Sequence, residues 1–584
     1  MQRKHLKKRL DRHSLQEGIL IRHISAFKSL ASRLEKFAKN EDGGILILSL
    51  LLFVAMIVAG GLAVDLSNHE RTRIYLQSHL DNAVLAAASL SQELDPKDTV
   101  MSYMSSAGLD PSEVDVKTSI EEIGGILVGR TVEASIDGGV DTYFFRFFDI
   151  DKLGMTIASQ ATERVEDIEI SLVLDVSGSM DNPARDGSGK KLDLLKGAAN
   201  DFVDAVLSEA EEGRVSISII PYSTKVNAGA ELLQYYNVTS EHDYSHCVDF
   251  DAADYTQLSI APSDRLQRTG HFQFQRWDRD DMKEGEWTCR IDDGFHITPL
   301  SSSADALKAQ INRLTGEGST SIDVGAKWGL ALLDPSARQA VDGLISEGIV
   351  SSDFHGRPHP HKSQNNMKVL VIMTDGENAT EFRLRSEYAS GPSNVIRTES
   401  PYYNSTFYSV ESGESWGKGD NAWPHDETYY YAIHPFNQNS YWDNDTIIDN
   451  PAFSSYAHLF TEKRLTWPEL WADMSPHYYG HNLLGKQYQS WRYWDNEMYK
   501  QWNRMHWYID YQEKDTRALN ICSAAKSAGI VTYTIGMDVK LDRSLNLLKQ
   551  CASTEAHYFD VGGLEINNAF EMIAASISML RLTK

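Results

Sequence analysis

The hydrophobic positions of this chain fall into successive patterns. The first is ILILSLLLFVAMIVAGGLAV, residues 45–64, twenty residues without a charge. A helix rising 1.5 Å per residue covers with that length the ~30 Å apolar core of a bilayer. The run therefore predicts a transmembrane helix, since a buried helix of a globular core rarely lacks every charged or strongly polar side chain. Beyond it, Leu76, Leu80, Ala83, Ala87 and Leu90 recur at three- and four-residue intervals, one stripe of an amphipathic helix that continues the anchor as a stalk or packs on the next unit. From 107 to 165 the pattern changes. Gly124-Gly125 and Gly138-Gly139 punctuate apolar or alternating stretches such as DTYFFRFF, which predicts a small strand-rich module.

A different alternation begins at residue 169. EISLVL (169–174), RVSISII (214–220), MKVLVIMTD (367–375), GIVTYTIG (529–536) and AHYFDV (556–561) are strand candidates. Between and after them, Leu192, Leu195, Ala199, Phe202 and Val206, and later Ile566, Phe570, Ile573, Ile577 and Leu580, mark helical faces. Strands alternating with amphipathic helices predict an α/β fold, a doubly wound, mostly parallel sheet covered on both sides. The expected organisation is a basic arm (1–40), a transmembrane anchor (41–66), a helical stalk (67–106), the strand-rich module (107–168) and the α/β domain (169–584).

Two insertions interrupt that domain, at 226–300 and 381–515. The first holds the acidic stretch WDRDDMKEGEW, whose spacing departs from an EF-hand calcium loop and reads as a solvated loop. The second holds 9 of the 12 Trp and 16 of the 26 Tyr, too many for a polar linker. It predicts a compact subdomain with limited regular structure, its rings forming a core in preference to a recognition surface.

Charge adds a direction. Residues 1–40 carry 11 Lys/Arg and 3 Asp/Glu, and Asp65 follows the apolar run at once, a bias that places the N-terminus in the cytoplasm and the C-terminus across the membrane. Gly60-Gly61 is followed by more apolar residues and not by a cleavage site, so an uncleaved anchor is expected. The net charge of -26 argues against a nucleic-acid binder. All four cysteines, Cys247, Cys289, Cys522 and Cys551, then fall on the exported side. Four cysteines allow three complete pairings, and reduced buried thiols are a further alternative. The local pairs Cys247–Cys289 and Cys522–Cys551, which close separate loops, are the expectation.

The candidate chemistry lies in DVSGS, where Asp175 ends a predicted strand and the turn brings the Ser177 and Ser179 oxygens around one point. GEGSTSIDVG offers Thr320 and TDGEN offers Asp375 from two further turns. These hard oxygen donors suit a magnesium-like ion, and loops beyond the strand C-termini of a doubly wound sheet converge on one crevice. The serines also invite a hydrolase reading. Ser177 is not in a G-x-S-x-G elbow, however, and no histidine is placed as its base. Neither a phosphate loop nor an H-E-x-x-H motif occurs. A site of this kind binds without catalysis, leaving one coordination position for a partner's carboxylate.

DVSGSM (175–180), Thr320 in GST and Asp375 in TDG resemble the D-x-S-x-S, threonine and aspartate pattern of the von Willebrand factor A domain and its metal-ion-dependent adhesion site. The resemblance covers about 169–225, 300–380 and 516–582. It implies coordination of magnesium or manganese, with calcium less favoured, and recognition of a protein ligand, Asp375 acting directly or through water. The whole arrangement resembles TadG-like proteins of tight-adherence (Flp) pilus systems. The resemblance rests on EDGGILILSLLLFVAMIVAGGLAVDLSN (41–68), LLKQCASTEAHYFDV (547–561) and ISMLRLTK (577–584). It implies a non-enzymatic inner-membrane accessory factor facing the periplasm, with pilus-assembly or envelope proteins as partners. A processed pilin would carry Glu five residues after its cleavage glycine, whereas Gly43 and Gly44 lead to Leu48 and Ser49. A membrane-tethered adhesin and a hydrolase are the alternatives.

Overall fold

A computed structural model describes residues 43–578 except 91, 93, 124–125, 165–166, 209, 275–281, 283–285, 364–365, 401–404, 413–428, 434–440, 443–460 and 485–490. The basic arm, most of WDRDDMKEGEW and the last six residues lie outside the described residues. The described residues divide into two compact units, one within Met1–Ser119 and Thr131–Thr162, the other within Ile120–Arg130 and Glu163–Lys584.

In the first unit α1 (Gly43–Ala88) is one helix of 46 residues. The stripe after the apolar run thus lies on the same helix as that run, and Leu90 falls beyond the helix end. Large apolar side chains from Ile45 to Ile57 are exposed, whereas Leu80, Ala83, Val84 and Ala87 are fully buried. They pack with Val100 and Met104 of α2 (Pro96–Ser106) and with Val132, Ala134, Ile136 and Ile157 of a small sheet. Asp95 caps α2, accepting from the backbone N–H of Lys97 and Asp98, with Pro96 in the first turn.

The sheet consists of β1 (Val114–Ile123), β2 (Ile126–Asp141) and β3 (Lys152–Arg164), in that order. Two sequence expectations are corrected here. Gly138-Gly139 lies inside β2, where a Cβ on Gly139 would stand 3.0 Å from the Leu153 carbonyl oxygen, so the glycine permits close strand approach. DTYFFRFF contributes a single 3-10 turn, Phe145–Phe148, because its leading N–H groups bond to the Asp65 carboxylate and not to a strand.

The second unit is built on a six-stranded sheet. Its strands are β4 (Asp167–Asp175), β5 (Val215–Tyr222), β6 (Thr298–Ser301), β7 (Asn366–Thr374), β8 (Val531–Met537) and β9 (Tyr558–Val561). The spatial order is β9-β8-β7-β4-β5-β6, parallel throughout except that the edge strand β6 runs antiparallel to β5. The sheet thus resumes at Thr298, and the end of the insertion expected over 226–300 belongs to it. β4, β5 and β7 are buried along almost their whole length, as strands covered on both faces must be.

On one face Val173 of β4 meets α5 (Ile322–Ala331). A Cβ on Gly325 would come 2.8 Å from side-chain atoms of Val173 and Tyr222, so glycine sets the closeness of helix and sheet. Strand alternation turns Leu172 and Leu174 to the other face, where they are equally buried. Phe202 of α3 (Lys191–Leu207) meets Phe570 of α8 (Glu565–Ser578) edge to face, ring centroids 5.7 Å apart. Helices α4 (Ala304–Arg313), α6 (Tyr511–Ser527) and α7 (Asp542–Cys551) complete the wrapping.

The aromatic segment is more regular than its composition suggests. Strands 392–400, 405–412, 429–433, 441–442 and 461–466 form an antiparallel sheet. Trp467, Trp471, Trp502, Tyr478 and Tyr479 are buried in one cluster with Val395, Val410 and Leu465. Trp467 and Trp471 stack at 5.2 Å, and Tyr479 meets both edge-on. Cys247 is bonded to Cys289 and Cys522 to Cys551, with Cα separations of 5.8 and 5.0 Å. Cys522 sits within α6, and the bond ties α6 to the last residue of α7.

Candidate functional site

Asp175 is the last residue of β4 and pairs in register with Tyr222 of β5, while Leu174 pairs with Met373 of β7. The turns after all three strands therefore open at one end of the sheet, as in other parallel sheets. Asp175 is fully buried. Its Oδ1 accepts the Ser177 N–H at 2.8 Å and its Oδ2 accepts the Thr374 hydroxyl at 2.7 Å. These two bonds fix the carboxylate and fold the DVSGS turn back over it. The Ser177 and Ser179 hydroxyl oxygens then lie 3.0 Å apart, and Ser179 donates to Asp375 Oδ1 at 2.6 Å.

Thr320 reaches the same place by another route. Gly178 N–H donates to the Gly318 carbonyl at 2.9 Å, binding the first turn to the Thr320 loop. Gly318 has φ +85°, and a Cβ there would stand 3.0 Å from the Ser223 and Thr224 hydroxyls. A Cβ on Gly376 would be 3.5 Å from Thr320 Oγ1 and 3.7 Å from Ser179 Oγ, so both hydroxyls border one point beside Asp375. The structure thus brings together Asp175, Ser177, Ser179, Thr320 and Asp375. Burial, and after it the Asp375 charge, pushes the Asp175 carboxyl up to about 7 in spite of its hydrogen bonds. Two close, buried carboxylates with three hydroxyls form a hard-oxygen set whose electrostatics favour a cation, and such donors fit magnesium. Among the described residues, no group of three or more His, Cys, Asp and Glu is placed to hold a metal ion by those ligands alone.

Several contributors carry no sequence signal. Lys191, at the start of α3, donates to Asp375 Oδ2 at 2.7 Å. Arg290, almost wholly buried, donates to the carbonyls of Val176, Thr315 and Glu317 at 3.2, 2.8 and 3.3 Å and to Thr315 Oγ1 at 2.6 Å. It follows Cys289 directly, so the first insertion delivers a guanidinium that staples two site loops. Lys514 of α6 donates to the Thr320 and Ala379 carbonyls at 3.3 and 3.1 Å and to the Ser321 hydroxyl. Lys225, fully buried, bridges Asp249 and Glu381 at 2.6 Å each and so joins the segments after β5 and β7. At the rim Arg543 pairs with Glu377 and lies 4.1 Å from the Tyr511 ring centroid. Among the described residues, no histidine is hydrogen-bonded to Ser177 or Ser179.

Residues 43–90 match a family model described as Flp pilus-assembly TadE/G-like. No curated protein matches the sequence. Among solved structures, the pilus adhesin SpaC from Lactobacillus rhamnosus GG is similar over 80% of this chain at 11% identity and a TM-score of 0.29. The vWF domain of the type V pili tip protein Mfa5 from Porphyromonas gingivalis is similar over 72% of this chain and 99% of its own, at 14% identity and a TM-score of 0.30. The adhesive tip pilin GBS104 from Group B Streptococcus agalactiae is similar over 70% of this chain and 100% of its own, at 11% identity and a TM-score of 0.28. The chain spans 34% of the length of SpaC.

Proposed function

We propose that the second unit is a von Willebrand factor A-like domain that binds magnesium at Asp175, Ser177, Ser179, Thr320 and Asp375 and uses the ion to recognise a protein. Manganese is the alternative ion and calcium a less favoured one. The observation that carries this reading is the Ser179 hydroxyl, which lies 3.0 Å from Ser177 Oγ and donates to Asp375 Oδ1, so that oxygens from turns after two strands already converge. A bound ion supplies a Lewis-acidic contact for a partner's carboxylate. Asp175 anchors the charge, the serines and Thr320 orient around it, and Arg290 and Lys514 hold the loops in place.

The biological role we propose is accessory to Flp pilus assembly, without catalysis. The chain would be held in a bacterial inner membrane by α1, with the N-terminus cytoplasmic and the second unit periplasmic. The family match over residues 43–90 supports this reading for the anchor segment. The adhesin alternative would use aromatic rings at the surface of the second insertion, where Trp507 and Tyr508 are exposed, whereas Trp467, Trp471 and Trp502 are buried in its core. Co-purification of the full chain with pilus-system proteins, with and without a chelator, tests the role. Magnesium-dependent capture, lost in the Asp175→Ala, Asp375→Ala double variant, is expected. Capture by the folded double variant that a chelator leaves unchanged would refute it.

A further inference from the structure

In the first unit, the segment Tyr143–Ile150 is fastened to α1 at two positions one turn apart. Asp65, 3% exposed, accepts the N–H groups of Tyr143, Phe144 and Phe145 at 3.0, 2.7 and 2.9 Å. At Gly61 a Cβ would stand 2.2 Å from Phe144 Cδ1, so the ring lies directly on the helix backbone and only glycine admits it. The loop is closed on itself as well. Thr142 donates from its hydroxyl to the Ile150 carbonyl at 2.5 Å and from its N–H to the Asp151 carbonyl at 2.9 Å, and Ile150 N–H returns to the Phe145 carbonyl at 3.2 Å.

So rigid a loop nevertheless presents apolar rings outward. Tyr143 is 71% exposed, Phe147 82% and Phe148 56%, with Ile150 beside them. Its charges largely offset one another, Arg146 pairing with Asp151 at 3.0 Å next to the exposed Asp149. A cluster of exposed rings on a fixed loop is a binding surface and not incidental exposure.

The position of the clamp selects the occupant. Gly61 lies three residues before Val64, the end of the uncharged run, which places it about 4.5 Å inside that boundary at the helical rise. Asp65 marks the boundary itself. Tyr143, Phe144 and Phe145 therefore sit level with the edge of the apolar stretch, where aromatic side chains are favoured. We infer that Tyr143–Ile150 is a second membrane contact, seating Phe147 and Phe148 in the headgroup–acyl boundary of the leaflet at the C-terminal end of the α1 span. The anchor is then gripped at its exit from the bilayer, and the strands β2 and β3 on either side of the loop are held at a fixed height. This inference rests on α1 spanning the membrane, so the test reads the span separately.

All four native cysteines are disulfide-bonded, so one introduced thiol is labelled alone. Phe147→Cys, Leu52→Cys and Ser112→Cys full-length variants, each nitroxide-labelled in lipid nanodiscs, are compared for collision with oxygen and with a water-soluble nickel chelate. The expected result is a nickel collision rate at 147 at least about tenfold below that at 112, comparable to the loss of a label from water on interfacial burial. Tyr143→Cys gives the same reading should a change at 147 disturb the loop. Adding Gly61→Leu, which expels Phe144, should restore nickel access at 147. Free nickel access at 143 and 147 with protection at 52 overturns the inference and leaves the span intact. Free access at 52 overturns the span. Protection at 147 that grows with the number of chains per disc marks contact between chains and overturns the lipid assignment.

Discussion

The Lys191 ammonium lies 2.7 Å from Asp375 Oδ2, on the carboxylate whose other oxygen accepts the Ser179 hydroxyl. An internal cation thus already neutralises one side of the proposed coordination shell and competes with a metal for the same oxygen. Lys191→Met is expected to tighten magnesium binding by about tenfold, the equivalent of roughly one charge-assisted hydrogen bond no longer displaced. Titration calorimetry on the full chain in detergent checks this. Weaker binding in the variant would show that Lys191 supports the shell and does not compete for it.

Arg290 should matter through geometry more than charge. Its guanidinium reaches three carbonyls and a hydroxyl in two loops, a fork that a lysine cannot reproduce. Arg290→Lys is expected to cost about 2–3 kcal/mol of stability, as buried acceptors lose their donor, and to weaken magnesium binding through the Thr320 loop. Denaturant titration and calorimetry report the two effects. An unchanged ion affinity would remove Arg290 from the account of the site.

The two disulfides should separate functionally. Opening Cys522–Cys551 by a double alanine substitution removes a loop of 29 residues, worth about 3–4 kcal/mol on the chain-entropy model, with the ion site left in place. Opening Cys247–Cys289 should cost a similar amount and also loosen Arg290. Thermal denaturation and magnesium titration of both variants distinguish the two. Non-reducing peptide mapping should recover the two local pairs, and crossed pairs would contradict the fold around α6 and α7.

How much of the molecule is legible in the sequence depends on how local the cause is. DVSGS declares itself because its donors are adjacent and follow a buried strand, and β4, β5 and β7 carry enough consecutive apolar residues to be read directly. Lys191, Arg290 and Lys514 are isolated cations that act only once distant turns meet, so no spacing marks them. The loop after Thr142 reads as a strand from its own residues because the Asp65 carboxylate that holds its backbone is 78 residues away from Tyr143. In the second insertion the density of rings hides the alternation of its strands.

The core of that insertion, which also takes in Phe272 of the first, should be separable from the ion site. Trp471 is fully buried and its indole N–H donates to the Tyr388 carbonyl at 2.8 Å. Trp471→Ala is expected to cost about 3–5 kcal/mol and to expose the segment to proteolysis. Limited digestion followed by mass spectrometry would locate the cuts. Cuts confined to 381–510, with magnesium binding retained, are the expected result, whereas loss of ion binding would tie the insertion's core to the site.

The most direct test of the central claim is magnesium calorimetry on the full-length protein and on its Asp175→Ala, Asp375→Ala double variant, with circular dichroism confirming that both are folded. One site per chain in the native protein, absent from the double variant, is the predicted result. Equal magnesium binding by the two proteins, or none by the native protein, would contradict the ion-dependent recognition site.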